Sequence, residues 1–133
     1  MPSNVKRTLL LLLVLFAACK GESPTDPTER GPRGRLSGVV TIGPNCPGPV
    51  NCPTTPAQYA QRKVVVYDEN RSQLLFTIDI DSTGFYFIDL RPAIYTIDLQ
   101  GLAADRTADV PRKVEIFPNV VTPVDIRVDT GLR

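Results

Sequence analysis

Residues 79–90 read DIDSTGFYFIDL, and this stretch admits two readings that lead to different proteins. Asp79, Asp81, Thr83 and Gly84 share the spacing that opens a calcium-binding loop, D-x-D-x-[DNST]-G. The same letters describe a strand, a tight turn and a second strand. A calcium loop of the EF-hand type needs a bidentate acid at its twelfth position and a helix alongside. Here that position is Leu90, and both flanks alternate in the manner of strands. Asp81-Ser82-Thr83-Gly84 therefore reads as a turn, in which Asp accepts backbone N–H groups and Gly supplies a positive φ. No metal is expected there.

Outward from the turn the alternation continues. SQLLFTIDI (72–80) sets Leu74, Phe76, Ile78 and Ile80 on one side against Gln73, Thr77 and Asp79 on the other. GFYFIDL (84–90) and AIYTIDL (93–99) follow, preceded by RKVVVYDE (62–69) and RLSGVVTI (35–42). In the last of these Leu36, Gly38 and Val40 share one face and Val39 takes the other. VPRKVEIF (110–117) and VTPVDIRVDT (121–130) complete the set, the latter with Val124, Ile126 and Val128 alternating against Asp125, Arg127 and Asp129. Period-two alternation gives each strand one buried and one wet face. Seven such runs at close spacing predict an all-β, seven-stranded antiparallel sandwich of the Ig-like or prealbumin-like kind over residues 35–130. The one helical candidate is a single turn in TPAQYAQR (55–62). With 13 prolines and 9 glycines in 133 residues, long helices are disfavoured, because proline removes a donor and clashes with the preceding turn.

These runs carry a resemblance. Gly38 and Val40, Val64 and Val66, then Asp81, Gly84, Phe85 and Phe87, then Leu90, Pro92 and Tyr95 follow a signature of Gly-x-Val, a variable loop, A-x-V-x-V, T-D-x-x-G-x-F-x-F and L-x-P-G-x-Y. It resembles the carboxypeptidase regulatory-like family, a transthyretin-like (prealbumin-like) sandwich with starch-binding-like relatives, over about residues 37–99. Pro92-Ala93 stands where the family usually has Pro-Gly, and Arg62-Lys63 where a small residue usually precedes the valines. The resemblance implies a fold and an appended module, not a peptidase.

The N-terminus speaks to location. MPSNVKRT supplies a short positive region and Leu9–Ala18 an apolar run, about half the ~20 residues needed to span a bilayer. It reads as a signal peptide over residues 1–18. Leu15-Phe16-Ala17-Ala18-Cys19-Lys20 resembles the bacterial lipobox, although Phe16 takes the place of the usual Leu, and makes Cys19 the expected lipidation site. Acyl chains on Cys19 would hold the protein at the membrane, each buried methylene contributing about 0.8 kcal/mol. Lys20 lacks the inner-membrane retention signal of an Asp at that place, which favours the outer membrane, on its periplasmic or surface face. Residues 19–34, with Pro24, Pro27 and Pro32 and no apolar periodicity, read as a disordered tether of at most ~45 Å.

The remaining cysteines, Cys46 and Cys52, form an even pair in an exported protein and are expected to form a disulfide. A redox or metal role is the alternative, weakened by the C-x5-C spacing and by the absence of histidine. The same absence removes the usual general base. There is also no Gly-x-Ser-x-Gly elbow and no glycine-rich phosphate loop, so neither an enzyme nor a cofactor is expected. Asp79, Asp81, Asp89 and Asp98 lie on neighbouring strands or turns, mostly on the wet phase. An isopeptide crosslink fails because the first strand has no Lys and the last no Asn. The net charge of +1, near −1 once Lys6 and Arg7 leave with the leader, gives no pull toward nucleic acid.

Two functional classes remain. One is a lipid-anchored structural or interaction module that docks an envelope protein by an edge strand or loop. The other is a carbohydrate-binding module, with Tyr59, Tyr67, Tyr86 and Tyr95 as candidate stacking residues, although the chain has no tryptophan. The long loop at 43–61 is a candidate binding tip, since binding residues concentrate on loops.

Overall fold

A computed structural model describes residues 31–133. The signal peptide 1–18, Cys19 and most of the tether 19–34 lie outside the described residues. The chain forms β1 (Gly34–Gly43), α1 (Pro56–Ala60), β2 (Lys63–Asp68), β3 (Leu74–Asp79), β4 (Phe85–Leu90), β5 (Ala93–Gln100), β6 (Arg112–Ile116), β7 (Val121–Pro123) and β8 (Ile126–Asp129). One sheet runs β4-β1-β7, with β8 also on β1, and the second runs β3-β2-β5-β6. The predicted all-β sandwich is borne out. Its strand count is corrected from seven to eight, and its pairing from wholly antiparallel to mixed.

Both corrections come from the last segment. β7 and β8 pair parallel with β1, whereas β4 pairs antiparallel with it from Gly34↔Leu90 to Val39↔Phe85. The chain leaves β6 and crosses to the other sheet through a turn where Asn119 takes φ 59° and its N–H meets the Arg33 carbonyl at 2.9 Å. It therefore arrives beside β1 running the same way. The expected single strand 121–130 breaks at Val124-Asp125. Pro123 brings no N–H to the ladder. The Asp125 carboxylate, in place of a backbone carbonyl, accepts the Val39 N–H at 2.8 Å. The Val124 carbonyl meanwhile accepts the buried Tyr86 hydroxyl. That contact needs a glycine opposite, because a Cβ on Gly38 would lie 1.9 Å from the Val124 oxygen.

The core follows the alternation. Leu36, Val40 and Ile42 from β1, Val64 and Val66 from β2, Ile97 from β5, Ile116 from β6, and Val124, Ile126 and Val128 from the C-terminal segment meet between the sheets. Each such side chain contributes about 1.5–3 kcal/mol when fully buried. β3 departs from its expected pattern. Ile78 and Ile80 are buried, but Leu74 and Phe76 are exposed. A bulge causes part of this: Val66 pairs with Phe76 and Tyr67 with Leu74, leaving Leu75 as the extra residue. One inserted residue flips every side chain beyond it, so Leu74 shares the outer face with Tyr67 instead of facing the core.

α1 is the single turn the sequence offered. Pro56 opens it, and Thr55 and Gln58 form a reciprocal capping box, with the Thr55 N–H donating to the Gln58 side-chain oxygen at 2.8 Å. Its C-terminal neighbour Arg62 is buried and donates through Nε and Nη2 to the Asp105 carboxylate at 2.7 and 2.8 Å, and through Nη1 to the Gln58 carbonyl at 2.7 Å. Burial pushes the Asp105 carboxyl up. The Arg62 hydrogen bond, the Leu102 N–H and the charges of Arg62 and Arg106 outweigh that and hold it below the usual carboxylate range. The pair fastens the entry of β2 to the 101–105 loop.

The 81–84 segment is a turn, as expected. Asp81 Oδ1 accepts the Thr83 N–H at 2.8 Å, the Thr83 hydroxyl at 2.6 Å and the Phe85 N–H at 3.0 Å. Gly84 takes φ +90°, and a Cβ there would stand 2.5 Å from the Val40 oxygen and 3.0 Å from the Tyr59 ring. Gly84→Ala is expected to lower unfolding free energy by about 3 kcal/mol through backbone strain and overpacking, read by urea denaturation. Cys46 and Cys52 are joined by the expected disulfide. Cys46→Ser should lower stability by about 2 kcal/mol in the same assay, the chain-entropy value for so small a ring. An unchanged midpoint would show that the bridge stabilises nothing.

Candidate functional site

On β4 the residues after Gly84 point alternately in and out. Tyr86 and Leu90 enter the core, and Ile88 packs against it. Phe85, Phe87 and Asp89 take the opposite phase. β1 presents Arg35, Ser37 and Val39 on the same side, paired with Asp89, Phe87 and Phe85 respectively. Val121 of β7 pairs with Arg35 and extends the surface. Val39, Phe85, Phe87 and Val121 are 44, 40, 50 and 59% exposed, a run of apolar side chains on a water-facing sheet.

The rings of Phe85 and Phe87 lie 6.0 Å apart and are inclined at 32°. Arg35 lies over Phe87, its guanidinium carbon 4.7 Å from the ring centroid. The same guanidinium holds Asp89 bidentately at 2.7 and 2.9 Å. The hydrogen bond from Arg35 and its charge depress the Asp89 carboxyl, and Asp89 in turn raises the Arg35 pKa. An exposed pair of this kind contributes little stability. Its effect is positional: it fixes a planar cation over one end of the aromatic pair.

The candidate stacking tyrosines are placed elsewhere. Tyr86 is in the core, where burial pushes its phenol well above the ordinary value. Tyr59 is buried against Gly84, and Tyr95 is buried with its hydroxyl donating to the Arg91 carbonyl at 3.0 Å. Tyr67 is half-buried on the second sheet, with Arg71 5.4 Å from its ring centroid. The four never share an open face. An aromatic residue on the core phase of a strand is packing, and on β4 Phe85 and Phe87 occupy the phase that Tyr86 does not. One signal for this lay in the sequence: Asp89 shares the phase of Phe85 and Phe87, and an unpaired carboxylate on a strand must face water.

The 43–61 loop is tied down. Asn45 Nδ2 donates to the carbonyls of Ile42 and Cys52 at 3.1 Å each and to the Thr54 hydroxyl at 3.0 Å, and Asn45 Oδ1 accepts from Gln58 at 2.9 Å. Beside it lies an open trough of about 750 Å³ whose lining includes Thr41, Asn51, Arg106, Asp109, Arg127 and Asp129. Its carboxylates are engaged. Asp109 accepts the Arg127 N–H at 2.8 Å, and Asp129 accepts from Arg133 and from the Gly131 N–H. These bonds lower both pKa values, so both acids are charged acceptors near neutral pH and not proton donors. Among the described residues no group of three or more His, Cys, Asp or Glu side chains is placed to hold a metal ion.

The chain matches no protein-family model and no curated protein. Among solved structures it is similar to a minor pilin of Streptococcus agalactiae, at 15% identity and TM-score 0.52, over 74% of this chain and 44% of the pilin. It is also similar to the TIE protein of Bacillus anthracis, at 13% identity and TM-score 0.50, over 74% of this chain and 16% of that one. A DUF3823 family protein from Bacteroides ovatus aligns at 14% identity and TM-score 0.47, over 71% of this chain and 44% of its own. The chain thus spans less than half the length of each of these proteins. At such identities the likeness is one of fold: a two-sheet, Ig-like β-sandwich.

Proposed function

We propose that this chain is a lipid-anchored, non-catalytic module of the bacterial cell envelope that holds a protein partner on the outer face of its β4-β1-β7 sheet. Phe85 and Phe87 carry this reading, as large apolar side chains on the wet phase of a strand whose other residues already supply the core. Removing such side chains from water contributes about 25 cal/mol per Å², and aromatic anchors dominate protein interfaces. The polar groups beside them favour protein over sugar. Arg35 and Asp89 satisfy one another, and phenyl rings offer no hydroxyl, so the face lacks the convergent hydrogen-bonding groups that orient a sugar.

The setting has separate support. The lipobox-like Leu15–Lys20 supports an anchor at Cys19 and the outer membrane. The resemblance of residues 37–99 to carboxypeptidase regulatory-like domains supports an accessory role, and the likeness to a minor pilin supports an envelope setting.

In-cell crosslinking from the intact envelope should recover one protein repeatedly with wild type and lose it with Phe85→Ser/Phe87→Ser, whose melting temperature stays within a few degrees because both sites are exposed. Retention of that protein by the double variant, or glycan-array binding that the double variant abolishes, would overturn the reading. Cys19→Ala should move the protein from the membrane fraction to the soluble one; unchanged partitioning rules out the lipid anchor.

A further inference from the structure

We infer that the turn between β6 and β7, Phe117-Pro118-Asn119-Val120, is an apolar tip that seats in the surface of the lipid bilayer, so that this end of the sandwich faces the membrane. The inference rests on the anchor at Cys19 proposed above. The turn is built to hold its shape. Pro118 takes its second position and Asn119, with φ 59°, its third, and the Val120 N–H donates to the Phe117 carbonyl at 3.4 Å. Proline followed by asparagine at positive φ is the chemistry of a type II turn. Ile116 fills the core place at the end of β6, so Phe117 falls on the phase that faces out. Phe117 and Val120 are 50 and 46% exposed, and Pro118 and Asn119 stand exposed between them.

What covers the tip follows from where the tether enters the fold. The Arg33 carbonyl accepts the Asn119 N–H at 2.9 Å, and the Arg35 N–H donates to the Val120 carbonyl at 2.9 Å. Gly34 between them passes so close that a Cβ would lie 2.1 Å from the Phe117 oxygen. The tip and the root of the tether are therefore held together. The chain between Cys19 and Arg33 reaches at most about 45 Å in extended, polyproline-like backbone. Acyl chains on Cys19 keep the tip within that distance of the bilayer, at high effective concentration, so a weak affinity of its own suffices. Neither Gly31–Arg35 nor Phe117–Val121 contains an acidic residue whose charge would resist the lipid, and Asp89, opposite Arg35, is already paired with it. A protein interface takes about 20–30 residues a side, far more than one turn offers. A fluid bilayer moulds itself to a tip this small.

The chain has no tryptophan, so a single introduced indole reports its own surroundings. The full-length lipidated Phe117→Trp variant is reconstituted into vesicles of phosphatidylethanolamine and phosphatidylglycerol, with flotation as a separate readout of the anchor. Val50→Trp is the control: Val50 is 65% exposed on the 43–61 loop, and β1 runs ten residues, about 30 Å, from the tip to that loop. Emission of Phe117→Trp should be blue-shifted relative to Val50→Trp. Lipids brominated near the headgroup end of their acyl chains should quench it about twofold or more, as for a side chain lodged ~5–10 Å into the headgroup and acyl boundary. Val50→Trp should keep its water-like emission and lose little. Adding Val120→Asp to Phe117→Trp should restore water-like emission, with thermal melting to check the fold and Val120→Ser in its place if that variant does not fold. A chain that floats while its Phe117→Trp indole stays in water, equal quenching at both positions, or a blue shift that acyl bromine does not quench, the mark of a protein contact, would each overturn the proposal and leave the anchor standing. A chain that does not float overturns the anchor and this proposal together.

Discussion

The Asp81 carboxylate sets the geometry on which the surfaces of this sandwich depend. One of its oxygens gathers the N–H of Thr83, the hydroxyl of Thr83 and the N–H of Phe85, and so closes the chain over Gly84. These bonds, the Thr83 hydroxyl's first, hold the carboxyl below its ordinary range and keep it an acceptor. The turn does not make a hairpin within one sheet. It delivers the chain from β3 in one sheet to β4 in the other, and Gly84 passes close enough to β1 for its carbonyl to accept the Val40 N–H at 2.7 Å. Side chains larger than hydrogen have no room there. Because β3 and β4 are joined by so short a crossing, the two sheets end on the same side of the sandwich, each with an edge that no strand among the described residues pairs.

The opposite side of β1 is organised by a different contact. Gly38 lets the Val124 carbonyl approach, and Tyr86 reaches through the core from β4 to donate its hydroxyl to that carbonyl. A single residue of β4 thus ties the edge of its sheet to the C-terminal segment two strands away. The cost is a break in the final ladder, which Asp125 offsets by accepting the Val39 N–H. This is why one expected strand became β7 and β8. A buried phenol with a satisfied hydroxyl is also a specific one: no apolar residue of similar size would hold the segment at that register.

Fold class, strand phases and the nature of the turn were legible because each follows from local chemistry. Leu36 and Val40 against Val39, or Ile126 and Val128 against Arg127, need no knowledge of the rest of the chain. What was not legible depended on partners distant in sequence. Period-two alternation is the same for parallel and antiparallel neighbours, so the direction of β7 and β8 left no mark. The bulge at Leu75 exists only relative to β2, and it moved Leu74 from the expected apolar face to the outer one. Arg62 looked like an intrusion before the paired valines, because its counter-ion Asp105 lies 43 residues away. The tyrosines were chosen as candidates by residue type alone. The phase argument from Asp89 would have chosen Phe85 and Phe87 instead.

Where a partner would gain most follows from the same accounting of hydrogen bonds and burial. The 43–61 loop was attractive because loops on rigid scaffolds tend to carry function. Yet its polar groups are largely spent internally: Asn45 makes four hydrogen bonds within the loop and its stem, Gln58 caps α1, and the disulfide closes the tip. A donor already satisfied gains little from a ligand, since binding merely exchanges one partner for another. The apolar side chains of β3 and β4 are in the opposite state. Many of them stand exposed, no strand among the described residues covers them, and water is a poor partner for them. Free energy is available from covering these surfaces and not from rearranging the loop, so the strands that meet at the Asp81 turn are where a partner gains most.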